Sequence, residues 1–244
     1  MVSIYSAAKG ETTTGTGTYV APVTRALKGI HFLVDSAAKL AHNFVEDGIN
    51  GSVTGAPTIT SQYAQMTDNT NYVDTGVPES ALMTFFLIAK SDQDFSSIDG
   101  AMLFSTNGNT VQSGGTSTFG TSLYMTASGI TFGSSRNNAG TATSASAAIS
   151  GNANATWALY QLEVTATGNT ITNLTTGATA TNSTGSTKIL TNGNFRLGAN
   201  FTASYVGTSK LMAWVAHHDV LTADEKASWA ARLRTYASSK GVTV

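Results

Sequence analysis

An all-β, two-sheet antiparallel sandwich closed by one short C-terminal helix is the fold this sequence predicts. Three observations predict it. Short runs of β-branched and aromatic residues recur between clusters of Gly, Ser, Thr and Asn along most of the 244 residues. Leu82 to Ala89 is apolar on both faces, as a strand covered from two sides must be. The apolar period changes to that of a helix only after Leu221.

In chain order, residues 1–28 are expected to form an extended arm, in which Thr12 to Thr18 is β-permissive but weakly amphipathic. Residues 29–244 are then the sandwich domain. Ile30 to Val34 is its first strand, and residues 48–57 are dense in turn residues. Two hairpins are marked: Leu123–Thr126 and Ile130–Phe132 flank Ser128-Gly129, and Trp157–Thr167 and Thr170–Thr172 flank Gly168-Asn169. Gly133 to Asn154 lacks an apolar period and is expected to be a long loop or ragged edge. The helix, 222–239, has a capping box in Thr222 and Glu225. Trp229, Leu233 and Tyr236 share one face, and Lys240-Gly241 supplies the stop.

Composition narrows the function classes. Charged residues make up 11% of the chain, against about 25% in an average domain. A net charge of -1 removes the electrostatic case for a nucleic-acid or membrane-surface partner. The absence of cysteine excludes disulfides and thiolate metal sites. Met1 to Tyr5 lacks the basic start and apolar core of a secretion signal, so synthesis and folding in a cytoplasm are expected.

Few residues suggest chemistry. His217-His218-Asp219 resembles a metal motif, but adjacent strand residues point to opposite faces, and no third ligand stands at a telling spacing. Neither a metal nor a cofactor is therefore implied. Trp157, Gln161 and Glu163 fall on one face of a strand, where the indole would stack on a sugar and the polar pair would hydrogen-bond it. The competing reading puts Trp157 in the core and Glu163 against solvent or a neighbouring subunit. Tyr124 and Arg136 complete the candidate glycan-binding set, Arg136 as part of the polar loop. No paired acidic motif, nucleophile elbow or phosphate loop is present, so no enzyme is expected.

From about Phe32 to Val242 the chain resembles the concanavalin A-like lectin/laminin G-like jelly rolls, of the kind found on bacteriophage virion proteins. The residues that carry the resemblance are Ser61–Ala64 with Asn71–Gly76, Leu82–Lys90, Trp157–Tyr160 with Thr167–Asn169, and Phe195–Gly198. Leu211–Val220 and the helix start at Leu221–Glu225 complete it. The resemblance implies two curved antiparallel sheets and a face that often binds glycans. It also implies a tail-fibre, appendage or decoration role at the virion surface, with other virion proteins met through the arm. Bacterial surface polysaccharide is the implied ligand, and a homo-oligomer, with a trimer favoured, the implied state. A free-standing lectin module is the alternative, and a polysaccharide-degrading enzyme centred on Glu163 a further one.

Overall fold

Residues 19–112, 118–202 and 204–244 are described by the computed structural model. The chain passes through β1 (Leu27–Phe32), helix α1 (Ala37–Ala41), β2 (Ser52–Thr54), β3 (Thr58–Ile59), β4 (Ala64–Thr67) and β5 (Tyr72–Pro78). Next come β6 (Met83–Lys90), β7 (Ala101–Ser105), β8 (Thr121–Thr126), β9 (Gly129–Asn138) and β10 (Thr141–Ser150). The last elements are β11 (Ala158–Val164), β12 (Gly168–Asn173), β13 (Thr179–Ser183), β14 (Thr187–Lys188), β15 (Asn194–Leu197), β16 (Thr208–His217) and helix α2 (Ala223–Ser239).

These strands build two antiparallel sheets. The first runs β13-β12-β11-β6-β16-β4-β3, with β1 pairing the second half of β16 beside β4. The second runs β10-β9-β8-β7-β15-β5-β2, with β14 pairing the end of β9. Strand alternation sends one side chain in two into the space between the sheets. Phe85, Phe104, Phe132, Phe195 and Trp214 meet there with none of their surface exposed. Ring centroids lie 5.0 Å apart for Phe85 and Phe104 and 5.2 Å for Phe85 and Phe195. Each such side chain contributes about 1.5–3 kcal/mol by burial alone.

The first sheet is also covered on its outer face. Phe86, Ile88, Leu159 and Val215 point outward into a second apolar cluster with Trp229, Leu233 and Tyr236 of α2. This explains why β6 is apolar on both faces: it is central in a sheet covered from two sides. Helix α2 has the expected capping box at Thr222, and Gly241 takes a positive φ of 74° just past the Lys240 cap. The outer face of the second sheet has no helix over it among the described residues.

Several expectations need correction. Residues 133–154 are not a loop, because β9 and β10 pair over ten consecutive positions. The inward period is present but carried mostly by alanine, in Ala145 and Ala147 before Ile149, with Ser144, Ser146 and Ala148 exposed between them. The β11–β12 hairpin turns through 165–167, so Gly168 and Asn169 belong to the strand. A Cβ on Gly168 would meet the Asn182 carbonyl oxygen at 2.1 Å, so glycine serves close strand approach there, not the turn. Likewise the β8–β9 turn is Ala127-Ser128, with Gly129 opening the next strand opposite Thr126.

A five-residue helix, capped by Ser36, adds to the single helix expected; its length is below what periodicity detects. The turn-dense stretch 48–57 contains β2. Strand β1 starts at Leu27, inside the expected arm, and Tyr19, Ala21 and Val23 lie against the second cluster. Residues 1–18, with the Thr12–Thr18 segment, fall outside the described residues.

Candidate functional site

The five candidate glycan contacts land in four separate places. Trp157 lies just before β11, half-buried, with Tyr63 at 6.1 Å between ring centroids and the Lys90 ammonium 5.5 Å from its ring. Gln161 and Glu163 share the outer face of β11, as alternation requires, but that face meets α2. Gln161 Nε2 donates to Glu163 Oε1 at 3.0 Å, and Lys226 of the helix pairs with the same oxygen at 2.9 Å. Glu163 therefore faces the chain's own helix, not solvent or another subunit, and is not assembled with Trp157.

Arg136 is a correction of a larger kind, since it is fully buried. Its Nη1 donates to the carbonyls of Thr165, Ala166 and Ser186 at 3.0, 3.1 and 3.3 Å. Its Nη2 donates to Gly168 O at 2.7 Å and Asn169 Oδ1 at 2.9 Å. The guanidinium thus ties the turn after β11 and the stretch before β14 to β9. Its donors are occupied by main-chain carbonyls and by the Asn169 and Ser134 side chains, which removes Arg136 from any surface site. The two strand-end imidazoles diverge: His217 Nδ1 sits 2.7 Å from Arg25 O, and His218 Nε2 3.0 Å from Pro78 O.

Tyr124 alone is on the open face of the second sheet. Register builds that face as a continuous row. Ser52 pairs with Asp74, Asp74 with Arg196, Arg196 with Ser105, Ser105 with Ser122, Ser122 with Gly133, and Gly133 with Ser146. Seven strands each contribute one residue, and none between Ser105 and Ser146 is larger than serine. The Ser105 and Ser122 hydroxyls are 2.6 Å apart and buried, Ser105 Oγ accepting from Asn107 N at 2.7 Å and Ser122 Oγ lying 3.3 Å from Phe119 O, so the middle of the row is covered by the residues that lead into β8. Beyond them the row is shallow, since Gly133 has no side chain and a Cβ there would meet Ser146 Oγ at 2.9 Å.

Aromatic residues flank this polar row. Tyr124 and Tyr205 stack at 4.6 Å with a 31° tilt. Gly100 makes room for that pair: a Cβ there would stand 2.9 Å from Tyr205 Cδ1. Burial, and then the neighbouring Tyr124, push the Tyr205 phenol up to about 12, so it stays a neutral donor at physiological pH. On the other side Arg196 lies between two rings, its guanidinium carbon 4.6 Å from Tyr72 and 3.6 Å from Phe201. Phe119, 54% exposed, stands at the entry to β8. Asp68 anchors the segment that carries Phe201 and Tyr205, accepting from Asn200 N at 2.9 Å and Tyr205 N at 3.2 Å.

Flat rings beside hydroxyl, carboxylate and guanidinium groups can stack on an apolar sugar face and hydrogen-bond its hydroxyls. Tyr72, Arg196, Phe201 and Tyr205 escaped the sequence reading. Alternation in Tyr72–Asp74 and Ser122–Tyr124 indicates which residues share a face of one strand, but the row exists only through register. Among the described residues no cluster of three or more His, Asp or Glu residues suited to a metal ion is found.

No protein-family model matches the chain, and no curated protein sequence does. Solved structures do share its fold. The binding domain of botulinum neurotoxin DC in complex with SialylT superposes with a TM-score of 0.59 at 8% identity, over 86% of this chain and 52% of that one. The binding domain of Paraclostridial Mosquitocidal Protein 1 gives 0.57 at 12% identity, over 85% and 52%. A Trypanosoma rangeli sialidase mutant gives 0.56 at 10% identity, over 84% and 33%. The chain spans about half the length of the toxin domains, and at these identities the likeness is one of fold: sheet-rich, lectin-like jelly rolls.

Proposed function

We propose that this chain is a non-enzymatic glycan-binding jelly roll, carried as a tail-fibre, appendage or decoration protein on a bacteriophage virion. The observation that carries the glycan reading is the outer face of the second sheet, where the part-exposed Tyr124–Tyr205 pair stands near the exposed Phe119. Support comes from the fold, because the similar toxin domains are binding domains and one is described in complex with SialylT. The virion assignment rests on the resemblance carried by Leu82–Lys90 and Leu221–Glu225, and on the charge-poor, cysteine-free composition. Against an enzyme, Glu163 is held by Lys226 and Gln161. A second surface competes as the glycan contact: Trp157 and Tyr63 with Lys90 and Lys210, whose ammonium lies 4.8 Å from the Tyr63 ring.

The test is a glycan array of bacterial surface polysaccharides and simple sugars, probed with wild type, Tyr205→Ala, Tyr124→Ala and Trp157→Ala. Loss of a stacking ring costs more than about 1 kcal/mol, at least roughly a fivefold rise in Kd. The tyrosine variants are expected to lose that much while Trp157→Ala binds as wild type. The reverse pattern moves the site to the Trp157 surface. Release of reducing ends from a bound polysaccharide would overturn the non-enzymatic reading.

A further inference from the structure

Every open sheet exposes edges, and natural edges are short, charged, bulged or covered so that they do not recruit another strand. Three of the four path ends obey this here. Strands β3, β2 and β13 have two, three and five residues. The fourth, β10, has ten residues, and its ten consecutive pairs with β9 run without a register shift. By contrast β7, β15 and β16 all carry shifts. Strand β10 contains no proline, no lysine and no charge of any kind.

The neutral zone extends well past the strand. Residues 137–187, which include β10 and β13, contain a single charged residue, Glu163, and that one is paired with α2. Depletion of charge marks the centre of an interface, and a neutral flank meets a copy of itself without like-charge repulsion. The backbone is equally prepared. The two-residue turn Ala139-Gly140 makes Asn138 and Thr141 the closing pair of the hairpin. Antiparallel alternation then directs the N–H and C=O groups of Ala142, Ser144, Ser146, Ala148 and Ser150 away from β9. Among the described residues no strand pairs with that edge.

We propose that β10 pairs antiparallel along this edge with β10 of a second copy of the chain, forming a two-fold dimer. The pairing is self-complementary, as a closed two-fold interface requires. Centred on Ser146, it sets Ser144 opposite Ala148 of the partner subunit, so the outer face of the seam carries only small side chains, while Thr143 meets Ile149 of the partner subunit on the inner face. The two second sheets become one, and the Ser52–Ser146 row of each copy runs into that of the other. If the proposed glycan reading holds, two faces then lie on one side of the dimer and act together by avidity. The dimer itself does not depend on that reading.

The experiment is light scattering on size-fractionated full-length protein, with circular dichroism as the folding control. Wild type is expected at twice 25.2 kDa. Ser146→Pro removes a donor that faces the edge while sparing the β9 ladder, and Ser144→Lys with Ala148→Lys places like charges across the two-fold. Both are expected at the monomer mass. The lysine pair stands alone if the proline variant fails to fold, since both positions are exposed. A monomeric wild type overturns the proposal. So does an oligomer that survives these substitutions, including one abolished only by deleting residues 1–18.

Discussion

Replacing Glu79 by alanine is expected to be among the most damaging single changes in this chain, although the residue lies outside every strand. The side chains of Glu79 and Lys188 are 0% and 1% exposed and pair at 3.0 Å between Oε1 and Nζ. The carboxylate also accepts from Thr106 Oγ1 at 2.7 Å, from Thr191 N at 2.8 Å and from Thr191 Oγ1 at 3.0 Å. Without it, Lys188 keeps Ile189 O as an acceptor at 2.7 Å, while the Arg136 charge repels it. An uncompensated buried charge costs about 3–5 kcal/mol. At roughly 2–4 °C per kcal/mol for a chain of this size, Tm should fall by about 6–20 °C.

Urea unfolding followed by circular dichroism measures this as a lower midpoint at unchanged slope. The double variant Glu79→Met with Lys188→Met removes both charges and should recover most of the loss, because apolar replacement of a buried pair is often neutral or stabilising. A cost below about 1 kcal/mol for Glu79→Ala, or a double variant as weak as the single one, would refute the reasoning. The pH dependence follows the same logic. Burial pulls the Glu79 carboxyl up, but Lys188 and the threonine hydrogen bonds outweigh it and hold the group below its usual 4.5. Its contribution is therefore fully present above pH 4.5 and is lost as pH falls through the lower folded value.

Other expectations concern separate parts of the molecule. Burial pushes His31 down to about 4, so the unfolded chain takes up a proton below about 6.5 that the folded chain refuses. Stability should fall from pH 6.5 towards 4, with His217 and His218, also lowered by burial, adding to the slope; His31→Asn should flatten it in pH-resolved urea melts. Thr222→Ala removes the cap that accepts from Glu225 N and should cost about 1 kcal/mol in the same assay, with no change in oligomeric mass. A loss below about 0.3 kcal/mol would mean that α2 is held by Trp229, Leu233 and Tyr236 alone.

What the sequence made legible was whatever depends on one element at a time. Strand β6 and helix α2 announce themselves because bulky apolar residues carry their periods, and the Thr222–Glu225 box is a local hydrogen-bond pattern. Strand β10 alternates between buried and exposed positions, yet alanine and serine differ too little in hydrophobicity for the alternation to stand out, and β9 is buried on both faces over most of its length. Arg136 is hidden for the same reason: an arginine in a stretch without a visible apolar period reads as exposed, whereas the pairing of β9 with β10 buries it. The site was less legible still. Tyr72, Ser105, Tyr124 and Arg196 come from four strands whose adjacency is fixed by pairing between distant segments, and Tyr205 reaches them only because Gly100 leaves space and Asp68 holds its backbone.

That dependence bears on how such a face tolerates change. Its groups are spread along seven strands, its two charges, Asp74 and Arg196, are opposite in sign and paired in register, and the rest are serine or glycine, so each contributes little. The two tyrosines are the exception, since their paired rings offer a larger apolar contact than any group of the row. Specificity would then reside in the segment 198–207 and the entry to β8, which carry Phe201, Tyr205 and Phe119, while the strands beneath supply a constant polar floor. Exchange of those two segments should change which glycan binds without moving the urea midpoint by more than the anchoring of Asp68 contributes. Failure of such an exchange to alter the array pattern would place recognition on the Ser52–Ser146 row itself.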